Sequence, residues 1–206
     1  MNTNASRKPR KPPRYDAVAT HYDRAMRPLE RWLMARLRVK VFAALPKDAK
    51  FLEVGAGTGA NFSYYPKGTH ATASELSLNM IELARGKDRL VTAHLVQNCA
   101  EELPFADDSF DAAVATLVFC SVTSPEDAFA ELRRVVRSGG TIALLEHVRP
   151  DGLLGYLFDA LSLITVAVFD DHFNRRTADN ARRAGLDVIT VERHALGIVN
   201  VIICRV

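Results

Sequence analysis

The sequence predicts an α/β fold in which a mostly parallel, doubly wound sheet ends in an antiparallel hairpin. Five short apolar runs after residue 50 alternate with helical patterns, which is typical of a parallel sheet with helices on both faces. Near the C-terminus, the strand-like runs "LDVITVER" and "IVNVIICRV" are joined only by "HALG". Because this link is too short for a helical crossover, the two strands must pair antiparallel.

The elements follow one another in a regular order. Strands are predicted at "KFLEV", "THATASE", "AHLVQN", "FDAAVATLVF" and "TIALLEHV", with helical periodicity in "SLNMIELARGK" and "SPEDAFAELRRVVRSGG" between them. Ser124 is suited to cap the second of these helices, and Gly139 and Gly140 to end it. Earlier, residues 28–45 predict a basic amphipathic helix, which can cover the core or lie on an anionic membrane.

A long apolar segment, "GLLGYLFDALSLITVAVF" at 152–169, has Asp159 as its only charged residue. Its length is near the lower limit for a membrane span. A carboxylate near its middle and a strand pair still to follow favour a helix over the mouth of the sheet instead. Such a helix would line an apolar pocket or touch a membrane.

Length and composition predict a single domain at 15–206 behind a disordered basic leader at 1–14. Residues 1–50 hold 13 Lys or Arg against 4 Asp or Glu, so a basic front end precedes an acidic body. Such an arm can meet nucleic acid or an anionic membrane, or be a solvated tail. Cys99, Cys120 and Cys204 lie far apart, which indicates neither a zinc site nor a disulfide framework. We therefore expect a cytoplasmic protein with no bound metal, and peripheral contact with a membrane is the alternative that the basic front end leaves open.

The stretch "FLEVGAGTGAN" (51–61) places glycines where a strand ends and a helix begins. Gly55, Gly57 and Gly59 can bring bare backbone against a ligand. Gly55 and Gly57, followed by Ala60, also satisfy the dinucleotide fingerprint, and Glu75 follows at the end of the second strand, where a carboxylate would bind ribose hydroxyls. An adenosine-containing ligand is therefore predicted, with a nicotinamide dinucleotide as one alternative.

A second carboxylate, that of Glu53, helps to distinguish between a dinucleotide and S-adenosylmethionine as the ligand. Glu53 stands two residues before the first glycine. A pyrophosphate would be repelled by this charge, whereas the sulfonium of S-adenosylmethionine is positive. Glu53 therefore favours S-adenosylmethionine.

Several motifs together resemble class I S-adenosylmethionine-dependent methyltransferases from about residue 15 to the C-terminus: "LEVGAGTGANF", "SEL", "AEELPFADDSFDAAVATLVF" and "RRVVRSGG". The resemblance implies a Rossmann-like, seven-stranded sheet whose last strand is antiparallel, with S-adenosylmethionine as cofactor. "VGAGTGANFSYYP", "TLVFCSV", "LLEHV" and "HFNRRT" resemble the methyltransferase-like-7 group of thiol methyltransferases, whose members are close to membranes. The cofactor half and "YDAVATHYD" are also similar to quinone-biosynthesis and phospholipid N-methyltransferases.

The resemblance also implies which residues contact the cofactor. Glu53 and the three glycines would face the methionine part, which Leu117 would flank, while Glu75 would bind the ribose and Leu76 would cover adenine. Cys99 stands where the family often has Asp, so the adenine amino contact would pass to Glu101 or to the backbone of Ala100. Tyr22 would close over the cofactor carboxylate or merely seat the first helix.

The reacting side is predicted where strands four and five end at the ligand crevice. The candidate catalytic residues are His172, His147, Asn174 and Arg175. His172 is the preferred general base because its neighbours match the subgroup motif, although a lone histidine is often structural. Asp170 and Asp171 would orient a base or cap the helix that starts near Thr177. Cys120 is interpreted as a small core or pocket residue.

The leading functional hypothesis is methyl transfer to a small apolar acceptor, preferably a thiol. The alternatives are a phospholipid amine or a quinol delivered from a membrane surface. Nucleic-acid binding is a remote alternative, because no aromatic residue interleaves the early charges and no N-P-P-Y motif is present.

Overall fold

The computed structural model of the protein describes residues 19–67, 69–87, 93–169 and 171–206, without the side chains of residues 19–22 and 167–169. The predicted leader at 1–14, the Tyr22 side chain and Asp170 lie outside this description. Their predicted roles therefore stay predictions.

A seven-stranded sheet organises the molecule and confirms the predicted fold class. Its spatial order is β3-β2-β1-β4-β5-β7-β6. The strands are β1 (Lys50–Val54), β2 (His70–Glu75), β3 (Ala93–Gln97), β4 (Phe110–Thr116), β5 (Val136–His147), β6 (Asp187–His194) and β7 (Val199–Arg205). β1 to β5 pair in parallel, whereas β7 runs antiparallel to both β5 and β6. The C-terminal hairpin predicted from its short link is therefore present.

Helices cover both faces of this sheet. They are α1 (Ala19–Leu29), α2 (Ala35–Ala43), α3 (Leu78–Arg85), α4 (Pro125–Val135), α5 (Leu153–Phe169) and α6 (Thr177–Arg183). Successive residues of a strand point to opposite faces, so Leu52 of β1 packs in the cluster that contains α4 residues, and Phe51 in the cluster that contains α2 residues. The two apolar layers enclose the sheet and leave the carboxyl ends of its parallel strands for a ligand.

The N-terminal helix starts earlier than predicted. α1 begins at Ala19, and a π-helical turn at Glu30–Met34 joins it to α2. The predicted start at residue 28 was wrong because Pro28 lies inside α1 and does not begin a helix. The buried face includes Met34, Leu37 and Val41. The helix therefore covers the core, which was one of its two predicted roles.

The segment around Gly139 and Gly140 also differs from the prediction. Ser124 caps α4, since its hydroxyl accepts a hydrogen bond from the backbone N–H of Asp127 at 3.3 Å. α4 nevertheless ends at Val135, and the glycines lie within β5. A Cβ at Gly140 would come within 2.8 Å of the Asp111 carbonyl oxygen of β4. Gly140 therefore permits close packing of β5 against β4 near an irregularity of their pairing, and neither glycine ends the helix.

α5 is the predicted helix at 152–169. It contacts the segment that follows it: the Ser162 hydroxyl donates to Asn174 Oδ1 at 3.0 Å, and the Thr165 hydroxyl to the Asp171 carbonyl at 2.7 Å. Within the described part of the chain, no helix has the length and apolar character that crossing a membrane requires.

Candidate active site

The glycine loop after β1 forms one wall of a crevice at the carboxyl ends of the strands. Gly55, Gly57 and Gly59 have φ values of 67°, 56° and 78°, which L side chains rarely adopt. A Cβ on Gly55 would lie 2.4 Å from Cγ2 of Val118, so this glycine permits contact with the turn after β4. At Gly57, no described heavy atom lies within 4 Å of such a Cβ. The space beside Gly57 is therefore open to a ligand that approaches the bare backbone.

Glu75 lies against this loop, at the end of β2. Its Oε2 accepts a hydrogen bond from the Gly57 N–H at 2.8 Å, and its Oε1 accepts from Leu76 and Ser77 N–H at 2.8 and 2.9 Å. The Leu76 side chain is exposed beside it. Glu75, which was predicted to bind the ribose, thus lies next to the loop that was predicted to hold the methionine part. This arrangement fits the resemblance, in which one S-adenosylmethionine molecule would span both.

Glu53 is fully buried, and both of its carboxylate oxygens accept hydrogen bonds from neighbouring side chains. Its Oε1 accepts from Asn61 Nδ2 at 2.5 Å, and its Oε2 accepts from the Tyr65 hydroxyl. Asn61 Oδ1 in turn accepts from Arg38, which forms a two-pronged ion pair with Glu30 at 2.9 and 3.0 Å. Burial raises the pKa of the Glu53 carboxyl, against the effect of its two hydrogen bonds. This network ties the N-terminal helix to the glycine loop, and the sequence analysis did not find Arg38, Asn61 or Tyr65.

Replacing Glu53 with glutamine is expected to flatten the dependence of stability on pH. Because the native pKa is raised, the folded protein keeps this proton at pH values where the unfolded chain releases it. The resulting stabilisation is complete below the ordinary pKa of 4.5 and is lost as the pH rises through the native value. Thermal melts across this range should therefore show wild type losing stability relative to Glu53→Gln as the pH rises. Exposed Glu82→Gln is the control, and a pH-independent difference for Glu53→Gln would contradict the expectation.

Asp23 of α1 closes over the other side of the glycine loop. Its Oδ1 accepts from the Thr58 hydroxyl at 2.6 Å, and its carboxylate pairs with Lys87, whose Nζ also donates to Thr58 at 2.8 Å. A cleft of about 370 Å³ lies between this helix and the loop. The adjacent Tyr22 was predicted to act as a lid or to seat the first helix, and that prediction is not tested by the contacts of Asp23.

Cys99, Ala100 and Glu101 follow β3. The Cys99 thiol donates to Glu101 Oε2, and Glu101 Oε1 accepts from the backbone N–H of Thr123 at 2.7 Å. Burial alone would raise the pKa of Glu101, but these hydrogen bonds hold it below its ordinary value. Ala100 packs against the core. The contact of this segment with adenine stays a prediction.

The turn after β4 connects the cofactor side to the reacting side. Leu117 has a φ of 56°, and its N–H donates to the Leu145 carbonyl at 2.8 Å. The N–H groups of Val118 and Phe119 donate to Oε1 of buried Glu146 at 3.0 and 3.2 Å. Burial raises the pKa of Glu146 to about 8. Glu146 therefore holds the turn in which Leu117 was predicted to flank the methionine part.

Cys120, His147 and Asp171 meet at the reacting side. Their ligand-type atoms all lie within 4.8 Å of one another, and His147 Nε2 is 3.8 Å from Asp171 Oδ1. The imidazole stacks on the ring of Phe173 at 4.2 Å. Burial lowers the pKa of His147 and raises that of the Cys120 thiol well above its usual range. No metal-ligand pattern was visible in the sequence because the three residues come from three separate elements.

The other predicted catalytic residues border this cluster. The His172 backbone N–H donates to the Cys120 carbonyl at 2.9 Å, which places His172 beside the turn after β4. Asn174 contacts α5 through Ser162, and the Arg175 guanidinium donates to the Val122 carbonyl at 2.6 Å. His172 therefore lies next to the cluster, Asn174 contacts α5, and Arg175 contacts the segment that follows Cys120.

Asp171 does not cap α6, which was one of the two roles predicted for it. The N-cap position is Arg176, which forms no side-chain capping bond in the described structure. Asp171 instead faces His147. The cap prediction was wrong because spacing to the next helix cannot show which way the connecting segment turns.

The strand order and the glycine crevice define a Rossmann-like protein with a site for an adenosine-containing ligand. A methyltransferase domain family matches residues 52–144. The chain is 31% identical over 163 residues to the thiol S-methyltransferase TMT1B of Mus musculus, covering 75% of this chain and 67% of that protein. It is 34% identical over 142 residues to a demethylmenaquinone methyltransferase of Renibacterium salmoninarum, covering 66% of this chain and 58% of that protein.

The fold comparison agrees. A methyltransferase structure from Thermotoga maritima, described as S-adenosylmethionine-dependent, superposes with a TM-score of 0.73 at 24% identity, covering 93% of this chain and 97% of that chain. The protein belongs to the class I S-adenosylmethionine-dependent methyltransferases. It is therefore an enzyme that uses S-adenosylmethionine as methyl donor.

Proposed function

We propose that the protein methylates the sulfur of a small apolar thiol. The observation that carries the proposal is the cluster of buried Cys120 with the partly buried His147 and Asp171 at the turn after β4. The similarity to the thiol S-methyltransferase TMT1B supports the same acceptor. An acceptor thiol with a pKa of about 8.5 needs only modest help to become a thiolate.

The cofactor residues provide alignment. Bound S-adenosylmethionine supplies an electrophilic methyl group with an excellent leaving group. Glu75, which accepts a hydrogen bond from Gly57, would hold the ribose, and the open face of Gly57 would let the backbone approach the methionine part. Glu146 fixes the turn at Leu117 between this part and the cluster. In-line transfer depends chiefly on such positioning.

The proposed acceptor end combines imidazole and aromatic groups. The His147 ring stacks on Phe173, whose ring lies 6.4 Å from that of Phe158 of α5. His172 is the proposed proton acceptor for the thiol. Burial lowers the pKa of His147, which favours the neutral imidazole, and a neutral imidazole nitrogen can accept a proton or bind a metal ion.

An acceptor panel tests the proposal. The purified protein and S-adenosylmethionine are incubated with an alkyl thiol, the alcohol and amine of the same chain length, a quinol and vesicles containing phosphatidylethanolamine. Release of S-adenosylhomocysteine should be at least about 100-fold faster with the thiol than with the alcohol, because the alcohol is far harder to deprotonate. Mass detection of the thioether identifies the product.

The same assay tests His172. His172→Ala is expected to lower kcat with little change in S-adenosylhomocysteine affinity. The control His94→Ala, which replaces an exposed residue of β3, should leave both quantities unchanged. Methylation of the amine or quinol with an inert thiol would replace the thiol proposal.

A quinol or lipid amine is the second candidate acceptor, with peripheral membrane contact. α5 exposes an apolar stripe at helical spacing, formed by Leu153, Tyr156, Leu157, Leu161 and Ile164. The similarity to demethylmenaquinone methyltransferase fits an acceptor taken from a lipid surface. The basic helix is a weaker membrane contact than expected, because Arg38 is buried in its ion pair with Glu30.

A further inference from the structure

The cluster at the reacting side has the composition of a metal site. Cys120 lies in the turn after β4, His147 ends β5, and Asp171 follows α5. In a tetrahedral zinc site, ligands at about 2.0–2.3 Å from the ion are roughly 3.3–3.8 Å from one another. The His147 to Asp171 distance of 3.8 Å is at the upper edge of that range, and all three groups fall within 4.8 Å. A contraction of roughly 1 Å would complete the geometry.

The charges around the cluster favour a cation. The Asp171 and Glu146 carboxyl groups and the Cys120 thiol are opposed by one guanidinium, that of Arg175. A divalent ion bound here would stabilise the ionised forms of these acidic groups and offset their negative charge. Two buried atoms also find no hydrogen-bond partner among the described residues, Nδ1 of His147 and Oε2 of Glu146. The nitrogen of His147 that faces Asp171 is Nε2, which would be the ligand atom, with the ring proton on Nδ1.

We propose that Cys120, His147 and Asp171 bind a zinc-type divalent cation with one coordination position open to the acceptor sulfur. A sulfur, a nitrogen and an oxygen ligand suit zinc, and three protein ligands with one open position are typical of catalytic zinc sites. The role at the acceptor rests on the proposed thiol methylation, whereas the metal site does not.

The proposed methyl transfer to the thiol needs neither an oxidant nor a reductant. The acceptor thiol loses its proton to His172, and its thiolate binds the cation. A sulfur lone pair then forms the new S–CH₃ bond while the bond from methyl to the sulfonium breaks, and that electron pair stays on S-adenosylhomocysteine. The neutral thioether is a weaker ligand than the thiolate and leaves. The cation keeps its oxidation state.

Cobalt titration tests the site independently of activity. Untagged, chelator-treated protein is titrated with Co²⁺, which reports a thiolate ligand by charge-transfer absorption in the near ultraviolet. One equivalent should bind with this absorption and be displaced by Zn²⁺. Cys120→Ser should lose the absorption, whereas Cys204→Ser, a buried cysteine of β7, should keep it. His147→Ala and Asp171→Asn should each weaken binding by at least about 10-fold.

The controls separate the site from the fold and from the function. S-adenosylhomocysteine binding and cooperative melting show which variants are folded. If folded wild type binds no Co²⁺, or if folded Cys120→Ser keeps the absorption, the site is overturned. Equal thiol methylation by zinc-loaded and metal-free protein would overturn the role at the acceptor while the proposed function stands. Cobalt binding at Cys120 without any thiol methylation would support the site and remove the thiol function.

Discussion

Glu75→Ala is expected to weaken S-adenosylhomocysteine binding by at least about 100-fold. A ribose diol offers two hydrogen bonds to this carboxylate, and each charge-assisted bond contributes about 1.5–3 kcal/mol, whereas a tenfold change in affinity corresponds to about 1.4 kcal/mol. The substitution also removes the acceptor of the Gly57 N–H, which orients the loop. Isothermal calorimetry measures the loss directly.

Two comparisons make this result specific. Glu82→Ala removes an exposed carboxylate on the neighbouring helix α3, paired with Arg85, and should bind as wild type does. Glu75→Gln keeps the shape and one acceptor oxygen, so its affinity should fall between wild type and Glu75→Ala. Folded Glu75→Ala that binds within about threefold of wild type would contradict the ribose assignment.

Gly57→Ala should impair cofactor binding by at least about 10-fold at a cost of only about 1–2 kcal/mol in stability. The φ of 56° strains any L side chain, but no described heavy atom lies within 4 Å of the added Cβ. The stability loss therefore comes from the backbone alone. The binding loss comes from the methyl group occupying the space where the ligand approaches the loop.

Gly139→Ala is the matched control. Gly139 has a φ of 73°, also has no described heavy atom within 4 Å, and lies in β5 before its buried run. Its alanine variant should lose a similar amount of stability in thermal melts and keep full S-adenosylhomocysteine affinity. Equal affinity in both variants would show that the cofactor does not approach Gly57.

The cofactor half could be predicted from the sequence because its residues belong to neighbouring parallel strands. β1 and β2 pair directly, so the glycine loop and Glu75, which follow their carboxyl ends, meet across 18 positions of sequence. Alternation and link length were sufficient to predict the sheet and its terminal hairpin. These features depend on local patterns, which a single sequence displays.

The reacting half could not be predicted in the same way. Cys120, His147 and Asp171 come close to one another only because the segment after α5 folds back towards the ends of β4 and β5. The hydrophobic periodicity of the sequence does not predict this change of chain direction. Glu53 illustrates the same limit, since its position before the glycines predicted a ligand contact but could not predict its side-chain partners. Its two oxygens accept hydrogen bonds from Asn61 and Tyr65, while the predicted ligand contact stays a prediction. Which residues are buried, and which side chains they contact, depends on tertiary packing. The spacing of residues along the sequence does not reveal it.

A crystal structure with S-adenosylhomocysteine tests the central claim most directly. We predict that the ribose hydroxyls lie on Glu75 and that the ligand sulfur faces the cluster of Cys120, His147 and Asp171 across Leu117. A ligand sulfur directed into the cleft beside Asp23, away from that cluster, would contradict the account of how the two halves of the site work together.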